Sequence, residues 1–338
     1  MKYISFSKKF PTFILSSVLT FLFIYNFAAA QTDSNLIIGE FKVTKVVDGD
    51  TFRFDKLDGS ARLQFLDTEE TFKDENASQK VDELRKNWDK YYNTLKDSSK
   101  YPVKADSPFG YDSWQWAKEF MKDVDYVRLE KDDLVREKDI FNRWLAYMIV
   151  IKNGKEINYN IEAVKQGISP YFNKYGNSKR FHNEFVEAQN YAKENKLGIW
   201  NDTTQKYPDY EDRLKWWNFR ATQLEDFDKY HKENKYHFNI SETDEYKRLE
   251  NYVGQEVIVF GSIGELLRNR FPYLMTIPVT KEDRFEIVIF EEHAGILDEI
   301  NLDDITENYV YIMGKLEKRK NRYQIILRDK NQIWMDKD

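Results

Sequence analysis

Apolar and polar positions alternate through residues 37–70. Phe41, Val43 and the pair Val46 and Val47 lead into an Asp48-Gly49-Asp50 break, after which Phe52 and Phe54 resume the alternation. A period of two with turn residues between the runs is the pattern of half-buried strands. Asp58-Gly59 reads as a tight turn into a further strand over 61–66, so this stretch predicts an antiparallel sheet with short connections. Residues 73–108 then turn polar, with a helix expected near 81–92. A helix is expected over 111–122, and strands over 126–131 and 144–151, the second closed by an Asn153-Gly154 turn. Helices follow over 158–166 and 181–195, the latter ending on Lys196 with Gly198 just beyond, which is favourable C-terminal chemistry.

The pattern changes at residue 201. Residues 201–248 are highly charged, yet Leu214, Trp217, Ala221 and Leu224 recur at helical spacing. Adjacent tryptophans at 216 and 217 oppose full exposure, so this reads as a helical bridge packed on a neighbour. From 249 onward five strands are expected, over 256–263, 273–278, 285–290, 309–316 and 323–328, with a helical connection between the third and fourth. That order suits a small closed barrel of the oligonucleotide-binding type, or a half-open sheet with a structural role. The expected fold is mainly β with helices (α+β): one barrel with helices over 37–200, a helical linker over 201–248 and a second small barrel over 249–338. A chain of 338 residues accommodates two modest domains.

Composition changes the picture at the N-terminus. Lys2, Lys8 and Lys9 precede an apolar run over 10–25, and Ala28-Ala29-Ala30 offers small residues before Gln31. Residues 1–30 therefore read as a signal peptide, with a retained N-terminal membrane anchor as the alternative because the run approaches a bilayer span. The chain has no cysteine, which excludes disulfides, a lipidated cysteine and cysteine-held zinc, and its four histidines show no metal spacing. A secreted or bacterial cell-envelope location follows as the expectation. Formal charge is −6, and removing the three leader lysines leaves −9, so global charge would repel a polyanion. Any attraction for nucleic acid has to be local.

Local chemistry of that kind is present. Gly49 permits a strand break that aims Asp50 where a regular strand would not, and Asp67 and Thr68 close the strand that begins near Arg62. Carboxylate and carbonyl oxygens are calcium's preferred ligands, so Asp50, Asp67 and the Thr68 carbonyl form a candidate calcium site. Read singly, Asp-Gly-Asp is also a plain turn and Asp67 a plain cap. Glu70 is the candidate general base for an attacking water, and Glu69 competes with it. Arg62 and Arg143 each offer a guanidinium fork to a phosphate, with a salt bridge as the plainer role. Arg143 lies among Phe141, Trp144 and Leu145, where a charge needs an anionic partner.

Five stretches, VVDGDTF at 46–52, ARLQFLDTEE at 61–70, FNRWLAYM at 141–148, NYNIEAVKQGI at 158–168 and FVEAQNYAKENKLGIW at 185–200, together resemble the staphylococcal nuclease (thermonuclease) family. The resemblance covers about 160 residues. It implies a five-stranded oligonucleotide-binding barrel with three helices, calcium on Asp50, Asp67 and the Thr68 carbonyl, Glu70 as base, and Arg62 and Arg143 on the phosphate. It further implies cleavage of DNA and RNA to 3′-phosphates, with Tyr171 and Lys174 lining the nucleotide pocket. Three departures stand out. Glu69 replaces a proline, residues 73–108 replace a short mobile loop, and Phe141-Asn142 replaces a tyrosine-glycine pair. The second unit resembles accessory nucleic-acid-binding barrels. There Lys315, Lys318, Arg319, Lys320 and Arg322 cluster at a hairpin between Tyr311 and Tyr323, a candidate single-strand patch or merely a solvated tip. The expected function is calcium-dependent, endonucleolytic phosphodiester hydrolysis by a monomer acting on DNA, RNA or both. The alternatives are a non-catalytic nucleic-acid-binding or envelope scaffold on the same fold, and an anchored protein whose tandem barrels bind a protein partner.

Overall fold

The computed structural model describes residues 33–335 except 98 and 100. The expected leader over 1–30 lies outside the described residues. Six strands build the first sheet: β1 (Ile37–Val46), β2 (Thr51–Phe54), β3 (Ser60–Leu63), β4 (Tyr126–Glu130), β5 (Trp144–Lys152) and β6 (Lys155–Asn158). β1 is long enough to pair with β2 at one end and β4 at the other, with a register shift between Val43 and Lys45 that lets it bend. β3 then runs parallel to β5, with Ala61 opposite Trp144 and Leu63 opposite Ala146, and this pairing closes a five-stranded barrel. Phe52, Ala61, Leu63, Leu129, Ala146 and Met148 fill its interior without exposure. β3 ends three residues sooner than the alternation predicts. Phe65 adopts φ +63° and leaves the ladder, placing its ring 5.8 Å from Tyr147 and 5.6 Å from Phe185.

Segment 73–108 holds two helices where one was expected, α1 (Ala77–Lys86) and α2 (Trp88–Asp97). Trp88 and Tyr92 are buried in the first core beside Tyr207. α3 (Pro108–Phe120) begins three residues before the expected start. The Ser107 hydroxyl accepts from the Gly110 amide as an N-cap, and Pro108 at the first turn lacks a donor there in any case. α4 (Tyr159–Lys165), capped by the Asn158 side chain, and α5 (His182–Glu194) pack on the barrel through Tyr159, Val164, Phe185 and Ala188.

α6 (Tyr210–Tyr230) is the expected bridge, and its buried residues surround it rather than lining one stripe. The reason is a neighbour on either side. Tyr210 joins the first core, while Phe227 stacks on Phe260 at 4.8 Å and Gln223 donates to the Tyr309 carbonyl at 2.8 Å in the second half. That half contains β7 (His237–Asn239), α7 (Thr243–Arg248), β8 (Glu256–Ser262), β9 (Leu266–Leu267), β10 (Tyr273–Pro278), β11 (Arg284–Ile289), β12 (Tyr309–Lys315), β13 (Glu317–Arg319), β14 (Arg322–Ile326) and β15 (Ile333–Trp334). The five expected strands are β8, β10, β11, β12 and β14. They lie in two open sheets, β13-β14-β11-β10-β9 and β15-β12-β8-β7, around a core of Val259, Ile277, Ile287, Ile312 and Ile325. Among the described residues no ladder closes them into a second barrel, and no helix is long and apolar enough to cross a membrane.

Candidate active site

The β1–β2 turn and the end of β3 bring Asp50, Arg62, Asp67 and Thr68 together. Asp50 is fully buried. Its Oδ2 accepts from the Thr68 amide at 2.8 Å and the Thr68 hydroxyl at 2.9 Å, and its Oδ1 accepts from Arg62 and from the Thr51 hydroxyl at 3.0 Å. The other guanidinium nitrogen of Arg62 donates to Asp67 Oδ1 at 2.9 Å and to the Leu66 carbonyl at 3.2 Å. Arg62 therefore bridges the two carboxylates. The site rests on two backbone fixtures: Tyr159 donates to the Gly49 carbonyl at 2.8 Å, and Ser169 accepts from the Asp67 amide at 2.8 Å. Gly49 is required by packing, because a Cβ there would stand 2.6 Å from the Thr68 methyl.

Two lysines that the sequence reading passed over complete the cluster. Lys104 donates to Asp67 Oδ1 at 2.6 Å, and Lys73 donates to Asp48 Oδ2 at 2.8 Å. Burial pushes the Asp50 carboxyl up to about 7, Arg62 offsets part of this, and the charges of Asp48 and Asp67 add to it. Burial acts on Asp67 in the same direction, but Lys104 and Arg62 outweigh it and hold that carboxyl below its ordinary value. Asp48 is likewise held low against burial, through Lys73.

The structure separates Glu69 from Glu70. Glu69 is buried and turned toward α6. Its carboxylate accepts from Ser107, from the Tyr207 amide at 2.6 Å and from the Tyr210 hydroxyl at 2.9 Å. Burial nevertheless pushes it up to about 7. Glu70 is half-buried, with its backbone pinned by Ser107 and Tyr207. Among the described residues no hydrogen bond or ion pair holds its carboxylate, which lies in the field of Arg62 and Lys73.

The remaining expected site residues are more dispersed. Arg143 precedes Trp144 at the start of β5 and is paired with Asp139, Nε to Oδ2 at 2.7 Å, so the anionic partner its surroundings called for is a side chain of its own loop. Tyr171, expected to line the nucleotide pocket, is packed in the first core. It is 3% exposed, stacks on Phe185 at 4.9 Å, and receives the Ser178 amide on its hydroxyl, so the open ring on this loop is that of Tyr175. Lys174 is paired with Glu307 at 3.2 Å and lies over the Trp216 ring at 4.3 Å, tying the loop to the second half. Burial and the nearby Arg220 depress its pKa. At the basic hairpin, Lys318 is paired with Glu250 and Arg322 with Glu286 at 3.0 Å, while Arg319 and Lys320 are exposed at the turn.

The donor chemistry fits calcium: Asp48, Asp50 and Asp67 are hard oxygen donors crowded into a buried corner, where the charges of Asp48 and Asp67 raise the proton affinity of Asp50. The arrangement is occupied by the chain's own cations, and among the described residues no group of three or more histidine, cysteine, aspartate or glutamate side chains is set to hold a metal ion.

Residues 81–202 match the family described as staphylococcal nuclease homologue. The chain is also 31% identical over 163 residues to an uncharacterized protein of Methanocaldococcus jannaschii, covering 47% of this chain and 70% of that protein. The family match includes Arg143, Tyr171 and Lys174 but begins beyond Asp50, Arg62, Asp67 and Glu70. With the closed five-stranded barrel beside it, this match places a staphylococcal-nuclease-like domain at residues 81–202 of the chain.

Proposed function

We propose that this protein hydrolyses phosphodiester bonds of nucleic acid, in a calcium-dependent, endonucleolytic reaction that leaves 3′-phosphates. The observation that carries the reading is the Arg62 guanidinium held between Asp50 and Asp67 beside Thr68, at the strand ends of the barrel. Asp50, Asp67 and the Thr68 carbonyl would hold calcium, which when bound supplies positive charge next to the phosphate and lowers the cost of deprotonating water. The chain's own groups do the rest. Arg62 is pre-oriented by its two carboxylates and donates to phosphate oxygens as negative charge builds on them. Glu70 takes the proton of the attacking water, for which its unclaimed carboxylate suits it. Arg143 adds a second fork once it exchanges Asp139 for phosphate. The substrate is DNA, RNA or both, met outside the cytoplasm if residues 1–30 direct export.

One observation favours a second reading, a nucleic-acid-binding protein without catalysis. Each carboxylate of the cluster already has a cationic partner in Arg62, Lys73 or Lys104. A fluorescence assay on DNA and RNA separates the two. Hydrolysis with calcium that disappears on chelation and in D50A supports the nuclease. Retained strand binding with no cleavage at any calcium concentration supports the binding protein.

A further inference from the structure

Segment 73–108 does more than cover the barrel, because it delivers two ammonium groups to the carboxylates. Asp48, Asp50 and Asp67 contribute three formal negative charges, all less than a tenth exposed. Arg62 answers with one positive charge, and Lys73 and Lys104 supply the other two. The charges of the three aspartates are thus matched by the chain's own cations without any ion, with the Glu70 carboxylate nearby. A divalent cation added to the cluster would create an excess of positive charge in a largely desolvated corner unless cationic groups withdrew.

The three cations are not equally able to leave. The Arg62 side chain is 18% exposed and is fixed by Asp50, Asp67 and the Leu66 carbonyl. The side chains of Lys73 and Lys104 are 43% and 49% exposed, each makes one ion pair, and each has a flexible four-carbon stem. The backbone beside Lys104, by contrast, is held close. Next to Lys104, the Ala105 amide and carbonyl are both bonded by the Tyr207 hydroxyl, and the Ser107 amide donates to the Glu70 carbonyl at 3.0 Å. The stem of Lys104 also passes Phe172, with its ammonium 5.9 Å from that ring. The fold therefore presents the lysines to the carboxylates while leaving their tips free to exchange.

We propose that Lys73 and Lys104 are resident counter-cations of the carboxylate cluster, which calcium must displace, so that segment 73–108 sets the calcium concentration at which the site loads. The proposal rests on the calcium-dependent reading above and adds a regulatory role for a segment that the family's short loop does not contain. It makes the site selective for conditions: calcium-poor surroundings leave the lysines in place, and calcium-rich ones release them.

Isothermal titration of the full chain with calcium tests it. The double variant K73M/K104M should bind calcium at least about tenfold more tightly than wild type, because two contacting like charges are removed. K80M alters a lysine of the same segment that is paired with Asp74 on the exposed face of α1, and should leave the affinity unchanged. K73Q/K104Q repeats the measurement should the methionine pair disturb folding. On wild type, calcium should raise the reactivity of Lys73 and Lys104 toward an amine-acetylating reagent, read residue by residue by mass spectrometry, and leave Lys80 as it was. Unchanged or weaker calcium binding in both double variants overturns the proposal, as does the absence of calcium binding in wild type and variants alike. Failure of the nuclease reading looks different: calcium binding follows the lysines while DNA stays uncut.

Discussion

Glu69 and Glu70 are identical side chains one position apart, and the fold gives them opposite surroundings. Glu70→Gln retains shape and removes the base, so kcat on DNA should fall by roughly 10²-fold or more. Glu69→Gln should change kcat by only a few-fold, and a larger loss there than in E70Q would reverse the two roles. Glu69 should instead be visible in stability. Its carboxyl is raised to about 7 in the folded chain against an ordinary 4.5. Between those values the folded state binds more protons than the unfolded one, so stability falls as pH rises. The contribution is constant below about 4.5 and reaches its full cost, on the order of 3 kcal/mol, above about 7. Asp50, also raised to about 7, adds a slope of the same sign. Urea unfolding at pH 5 and pH 8 should therefore show wild type weakening toward pH 8 and E69Q weakening less. Equal pH dependence in the two proteins would count against a buried, proton-binding Glu69.

At the scale of elements, the site depends on how closely α3 approaches the strand end. A Cβ on Gly110 would stand 1.9 Å from the Glu70 carbonyl oxygen and 2.8 Å from that of Glu69. These are backbone atoms and have no rotamer with which to yield. G110A should accordingly push α3 away, cost about 2–3 kcal/mol or more, and shift Glu70. Thermal denaturation should register the loss, and kcat should fall further than the unfolded fraction explains. A variant with wild-type melting temperature would mean that the helix end moves freely. α6 matters for a related reason. Tyr207 and Tyr210, at and just before its start, hold Glu69, and Trp88 donates to the Lys206 carbonyl at 3.1 Å, so the bridge is part of the wall behind the site.

The whole molecule is joined through Arg220, which is 1% exposed. It donates to the Lys174 carbonyl at 3.0 Å on the first half, to the Ser262 hydroxyl at 3.0 Å and the Glu307 carbonyl on the second, and its guanidinium lies 4.3 Å from the Tyr309 ring centre. Removing it strands several buried acceptors at once, so R220A should cost about 3 kcal/mol or more. Scanning calorimetry should then show one transition becoming two as the halves lose their common tie. A single transition at an unchanged temperature would assign the coupling to the other contacts between the halves, among them Lys174 with Glu307 and Gln223 with the Tyr309 carbonyl.

Local period and short motifs in the sequence were enough for most of the strands and helices and for the closed first barrel. The alternation about Phe52 and Phe54, the Asp-Gly-Asp break and the five main strands of the second half were all legible in that way. The helix start at Pro108 and the split at Asn87 were less so. Tertiary structure alone decided which charges meet. Lys104 stands 37 residues from Asp67, and Lys73 stands 25 from Asp48. Nothing in a polar insertion marks these two lysines among its neighbours. The same holds for Glu69 against Glu70, for the burial of Tyr171 and for the open sheets of the second half. Each depends on which surfaces pack against which, and side-chain burial and long-range pairing are set by the closed chain rather than by any stretch of it.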